Sequence, residues 1–297
     1  MSATPKRPLG PEPTCAPPVP NPKKPDLALP PKACDAHYHI FGPAHRFPFA
    51  ADRTFTPHDA PLADLLALHR HLGFERGVFV QSACHGTDHS AVLDALAGLK
   101  DRYRGVALLT PSTPPAEVAR LHEAGFRGVR LHFVSHLHGQ SPDDIRAVIR
   151  LVAPFGWHIA VHTMHDGLAE HEAFIRAIDA PVVIDHIGRF DIADGESSRG
   201  FQALRRLLDG GRVWVKLSGV DRLSDTPPCF RDAVAVARIL AAQAPERILW
   251  GTDWPHPNHK HVPDDGVLVD LIAEIAPDET IRRKMLVDNP AALFGFE

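Results

Sequence analysis

The sequence predicts a (β/α)8 barrel, and three observations carry the prediction. Short β-branched or apolar runs alternate with stretches of helical period, which is the signature of βαβ units and a mostly parallel sheet. Eight such repeats fill residues 33–297, the number that closes a barrel. No G-x-G-x-x-G motif follows any of the runs, although an open doubly wound sheet that binds a nucleotide would usually show one after its first strand.

The predicted strands in order are ACDAHYHI (Ala33–Ile40), GVFVQ (Gly77–Gln81), GVALL (Gly105–Leu109), GVRLHF (Gly128–Phe133), HIAVHT (His158–Thr163), VVIDH (Val182–His186), VWVKLS (Val213–Ser218) and ILWGTD (Ile248–Asp253). Helix candidates lie between them. PLADLLALHRHLG separates the first two runs, and SPDDIRAVIRLVAPFG opens on an N-terminal cap with proline in the first turn. The segments DDGVLVDLIAEIA and DETIRRKMLVDNPAALFGF are expected to close the barrel.

Ahead of the barrel, residues 1–32 hold 11 of the 29 prolines and few large apolar side chains. They read as an extended arm outside the core, either a disordered tail or a segment laid over a neighbouring subunit. A homo-oligomer is compatible with the second reading. The formal net charge of -4 and the mixed spread of charges leave no basic stripe for nucleic acid. No run reaches the roughly 20 apolar residues of a membrane span, and no signal peptide is recognisable at the N-terminus. Cys15, Cys34, Cys84 and Cys229 form no C-x-x-C pair, which fits a reducing compartment. A cytoplasmic protein without membrane or nucleic-acid partners is the expectation.

In a barrel the C-terminal ends of the strands face one pocket. The residues so placed are His37 and His39 (first strand), Arg130 and His132 (fourth), His162 (fifth), Asp185, His186 and Arg189 (sixth), Lys216 and Ser218 (seventh), and Asp253 (eighth). A His-x-His pair on a strand turns both rings to one face. Two imidazoles alone bind a metal poorly, and the pair is equally compatible with a packing role. With His162 and Asp253 they would form a three-nitrogen, one-oxygen set suited to zinc.

The stretches DAHYHIFGP, HLGF, CHGTD, WHIAVH, IDHIGR and WGTDWPHPN resemble the amidohydrolase superfamily. The likeness is to its lactonase branch, which contains 2-pyrone-4,6-dicarboxylate and 4-sulfomuconolactone hydrolases. It runs from about Cys34 to the C-terminus and leaves the arm outside. It implies that Asp253 is the general base, that His37, His39 and His186 surround the scissile carbonyl, and that Arg130, Arg189 and Arg222 hold an acidic substrate. Phe55 and His162 stand where the dicarboxylate hydrolase has tyrosines, and His136 where it has an arginine. The histidine at 162 restores a ligand that metal-dependent members use. Together these departures point to one divalent metal, zinc, and to 4-sulfomuconolactone as the small anionic substrate. The alternatives are metal-free hydrolysis of 2-pyrone-4,6-dicarboxylate, a metal-dependent decarboxylase, and a non-catalytic binder.

Other polar residues have plainer readings. Trp250 and Trp254 are expected to pack at the rim, and Cys84 to be a structural thiol beside a loop histidine, His85. Lys216 is expected to pair with a barrel carboxylate, because the carbamylated lysine of two-metal relatives belongs on the fourth strand, where this chain has Arg130.

Overall fold

The computed structural model describes residues 10, 12–134, 140–259 and 261–297. All eight expected strands form. They are β1 (Cys34–Tyr38), β2 (Arg76–Val80), β3 (Tyr103–Ala107), β4 (Phe126–His132), β5 (His158–His162), β6 (Val182–Ile184), β7 (Val213–Lys216) and β8 (Ile248–Leu249). Each pairs in parallel with the next, in the order β1 to β8. Backbone hydrogen bonds join the two ends of the sheet, from Ala36 N to the Trp250 carbonyl (2.8 Å) and from Asp253 N to the His37 carbonyl (2.7 Å). Gly251 permits this approach, since a Cβ there would lie 2.5 Å from His37 N.

The helices α1 (Leu62–Leu72), α2 (Ser90–Leu96), α3 (Pro115–Glu123), α4 (Pro142–Val152), α5 (Gly167–Arg176) and α6 (Arg199–Asp209) each follow their strand. After β7 come a single turn, α7 (Val220–Leu223), and the longer α8 (Arg231–Gln243). The chain ends with α9 (Asp265–Ile275), α10 (Glu279–Arg283) and α11 (Asn289–Phe294). Helix α4 starts where its sequence says, with Ser141 and Asp144 forming a reciprocal capping box ahead of Pro142. Gly73, in the left-handed region, stops α1.

Two apolar layers follow from the strand period. Cys34, Ala36, Val78, Val80, Val106, Ala160, Val183 and Leu249 share one cluster with Phe294 and Phe296. Side chains from six strands around a barrel meet only across its interior, so these fill the barrel and the C-terminal aromatics plug its base. Arg76 and Arg104 stack on Phe296 at 5.2 and 4.7 Å. A second, larger cluster lies between strands and helices and includes Tyr38, Phe79, Leu131 and Val161.

Simple alternation would put Tyr38 on the same face as Cys34 and Ala36. The β1–β2 register shifts between Asp35 and Tyr38, so Tyr38 packs outward against His69 and Phe79. That irregularity turns His37 and His39 into the barrel mouth.

The described part of the arm lies along its own barrel without helix or strand. Leu27 and Leu29 pack on the core, and Asp270 of α9 accepts the backbone N–H groups of Asp26 and Leu27 at 2.7 and 2.9 Å. The contacts of the described arm residues are with this chain's own barrel. Among the described residues no helix is long and apolar enough to cross a membrane.

Candidate active site

The strand ends converge on a cavity of about 330 Å³ whose walls include His39, Phe55, Arg130, His162, His186, Arg189, Arg222 and Asp253. His37 lies beneath it, fully buried. Seven of these nine residues sit on or just after a strand. Phe55 comes from the loop after β1 and Arg222 from α7. His136 falls outside the described residues.

Asp253 is the centre of the arrangement. Its Oδ1 faces three imidazole Nε2 atoms, at 3.6 Å from His37, 3.5 Å from His39 and 3.8 Å from His186. Its Oδ2 accepts from Arg222 Nε, and Arg222 Nη2 also donates to the Pro257 carbonyl at 3.1 Å. Burial alone would raise the Asp253 carboxyl, but the Arg222 guanidinium and the surrounding imidazoles outweigh it and hold the group well below the usual carboxylate range. Burial, reinforced by the Lys216 ammonium, takes His37 down to about 3, and burial likewise lowers His186 and His162. Asp253 is therefore an ionised carboxylate beside the neutral imidazoles of His37 and His186.

A second buried carboxylate supports the first group of rings from behind. Asp185 pairs with Arg130 Nε at 2.8 Å, with Lys216 Nζ at 3.1 Å and with His37 Nδ1 at 3.4 Å. Lys216 Nζ is also 3.0 Å from His37 Nδ1. Lys216 thus pairs with a barrel carboxylate, as expected. Ser218 Oγ lies 3.1 Å from His186 Nδ1 and fixes that ring.

The donor set fits a divalent cation. His39 Nδ1 lies 2.7 Å from the Val80 carbonyl, which can only accept, so Nδ1 carries the hydrogen. Its other ring nitrogen, Nε2, faces Asp253 Oδ1 at 3.5 Å. Among the described residues His37 Nε2 and Asp253 Oδ1 have no hydrogen-bond partner, which buried polar atoms normally find. Ligand atoms of His37, His39 and Asp253 all lie within 4.8 Å of one another, and two imidazoles with one carboxylate are a known three-ligand catalytic set.

His162 is not brought into that group. Its Nε2 accepts from Arg189 Nη1 at 3.4 Å, its ring is 6.5 Å from that of His186, and β5 presents it as a wall of the cavity. The three arginines also divide their roles. Arg130 is engaged by Asp185 and Arg222 by Asp253, while among the described residues Arg189 meets no carboxylate.

Sequence reasoning missed Ser82, Met164 and Asn258, which also line the cavity. Ser82 directly follows the second predicted run and was open to the strand-end argument. Met164 and Asn258 sit in loops without a periodic signal. It also missed a left-handed turn, His186–Arg189, with φ of 50, 56, 77 and 47°. The turn lets His186 and Arg189 both reach the cavity, the kind of strained backbone that clusters at functional sites. Cys84 is buried and its thiol is pushed up to about 12, chiefly by burial, so it is no activated nucleophile.

Comparison with known proteins agrees with this architecture. A family model described as Amidohydrolase matches residues 34–296. The chain is 45% identical over 285 residues to a 2-pyrone-4,6-dicarboxylate hydrolase of Comamonas testosteroni, covering 92% of this chain and 93% of that one. It is 40% identical over 275 residues to a 4-sulfomuconolactone hydrolase of Rhizobium radiobacter, covering 91% and 92%. A crystal structure from Agrobacterium tumefaciens superposes with a TM-score of 0.82 at 30% identity, covering 92% of this chain and 99% of that one. The eight-stranded parallel barrel, the histidines and aspartate at its mouth and the match over residues 34–296 make this chain a member of the amidohydrolase family.

Proposed function

We propose that the chain is a lactone hydrolase that opens a small anionic lactone, 4-sulfomuconolactone before others, with Asp253 as general base. One observation carries the reading: a buried, ionised carboxylate faces three imidazoles at the floor of a cavity that three arginines line. Relatives named for lactone hydrolysis support the reaction class.

Asp253 Oδ1 takes the proton of an attacking water, and the same carboxyl returns it to the departing ring oxygen. His186, held by Ser218, stands within reach of the lactone carbonyl and orients it. Arg189, which meets no carboxylate among the described residues, offers a planar fork to the substrate's acid group. Arg222 keeps Asp253 ionised and fixes its rotamer, while Arg130 contributes positive charge to the wall. A divalent metal, zinc on the chemistry of the donors, would be held by His37, His39 and Asp253, with His162 as a nearby fourth imidazole. When bound it supplies Lewis acidity that lowers the pKa of water toward neutrality.

Phe55 and His162 at the wall favour the sulfonated lactone. The 45% relative favours the second reading, metal-free hydrolysis of 2-pyrone-4,6-dicarboxylate. Metal content measured on the purified chain, with both lactones assayed before and after chelation, separates them. About one zinc per chain and chelation-sensitive turnover of the sulfonated lactone support the first reading. Full activity without metal on the dicarboxylate refutes it.

A further inference from the structure

The N-terminal arm lies outside the family match, yet its contacts reach the cavity wall. Thr56, fully buried, follows Phe55, which lines the cavity. The Thr56 N–H donates to Thr14 Oγ1 at 2.9 Å, and the Thr56 carbonyl accepts from Thr14 N at 2.7 Å. Thr56 Oγ1 donates to the Gly10 carbonyl at 3.3 Å, and Arg53 Nη2 donates to that carbonyl at 2.8 Å. On the β8 side, Cys15 Sγ donates to Asn258 Oδ1 at 3.2 Å, and Asn258 lines the same cavity. One short stretch of arm therefore satisfies the backbone groups beside Phe55 and also holds the loop that follows Asp253.

The barrel is shaped to hold the arm in place below these contacts. A Cβ at Gly266 would come within 1.9 Å of the Lys23 carbonyl oxygen. Asp264, which caps α9, also accepts Lys23 N at 2.9 Å. His71 Nε2 lies 3.0 Å from the Pro22 carbonyl, and Lys23 Nζ pairs with Asp270 at 2.7 Å. The prolines between, Pro17, Pro18, Pro20 and Pro22, stiffen the connection from this anchor to the mouth.

We infer that the arm is a working part of the active site, with Thr14 and Cys15 as positioning residues that hold the Phe55 and Asn258 walls around the bound substrate. The inference rests on this cavity being the substrate site of the proposed hydrolase. The arm contacts at the mouth fall on Arg53, Thr56 and Asn258 and, among the described residues, not on the reacting groups His37, His186 and Asp253. The arm thus acts on contacts that ground state and transition state share, which appear in KM and leave kcat alone.

The test compares the full chain with three variants: a deletion of residues 2–15, Thr14→Val, which keeps the shape and removes the hydroxyl acceptor, and Thr14→Ser, which restores it. Loss of one such hydrogen bond should raise KM for the lactone about twofold to tenfold in Thr14→Val. The deletion should raise it further, kcat should stay within about twofold, and Thr14→Ser should recover the wild-type KM. Amide exchange at Phe55–Thr56 and around Asn258 should quicken in the deletion variant. That readout needs no turnover, so it tests the arm even if neither lactone proves to be the substrate. An unchanged KM in the deletion variant, a kcat that falls as KM rises, failure of Thr14→Ser to rescue, or unchanged exchange at both walls overturns the inference.

Discussion

Asp253→Asn isolates the base from everything around it. The amide matches the carboxylate in shape, so its oxygen can keep the Arg222 bond while the charge that accepts the proton is gone. A positioned general base contributes about 10² to 10⁴ in rate, which is about 2.7–5.5 kcal/mol of barrier. Stability should also fall, by about 1–3 kcal/mol, because a buried guanidinium loses its charged acceptor but keeps the Pro257 carbonyl. The sign with pH follows from the lowered carboxyl. A carboxyl depressed by folding stabilises fully above its unfolded value of about 3.9, and that contribution disappears as pH falls through the folded value. The wild-type chain should therefore unfold at higher urea than Asp253→Asn at pH 7, and the gap should close as pH drops below about 4. Steady-state kinetics and urea titrations at several pH values measure both effects. A variant that keeps kcat within tenfold of wild type would remove Asp253 from the role of base.

Three further outcomes follow from the geometry. His37→Ala should abolish stoichiometric zinc, while His162→Ala should retain it, because only His37 belongs to the close ligand group; elemental analysis of both proteins decides. Lys216→Met removes a fully buried ammonium that contacts Asp185 and His37, and since Arg130 still pairs with Asp185 the cost should be about 1–3 kcal/mol in urea unfolding rather than loss of the fold. Phe294→Ala empties the plug at the base of the barrel and should cost about 3–5 kcal/mol with KM unchanged, since the site lies at the other end.

The barrel was legible because its signal is periodic. Each of the eight runs contains or overlaps an observed strand, and the capping signature of α4 marks its start. The strand-end argument also gathered side chains that the structure brings to one cavity, since parallel strands in a closed ring deliver their C-terminal residues to one place whatever their separation in sequence. Where an added histidine of the right type lay at a strand end, however, the same argument could not tell a ligand from a wall. His162 and His186 both sit near Asp253 in projection, but a left-handed turn after β6 brings His186 to 3.8 Å from the carboxylate, and His162 stays beside Arg189.

Residue type and period thus fix which side chains a barrel mouth receives, while local departures from the period decide what they do there. Had β1 kept strict alternation, His37 would share a face with Asp35 and Tyr38 would join Cys34 and Ala36 inside the barrel. The register shift between Asp35 and Tyr38 reverses this, and Asp35 instead anchors the β8 end through Thr252 Oγ1 at 2.6 Å and Thr252 N at 3.0 Å. The carboxylate that opens the DAHYH motif is therefore a clamp between the first and last strands, holding Asp253 one residue beyond Thr252 against the two histidines. Where the arm lies escaped the sequence reading for a related reason. Its proline content rules out a packed core of its own, but says nothing of a surface already cut to receive it, and Asp264 and Asp270 lie 241 and 244 residues along the sequence from the arm residues they meet.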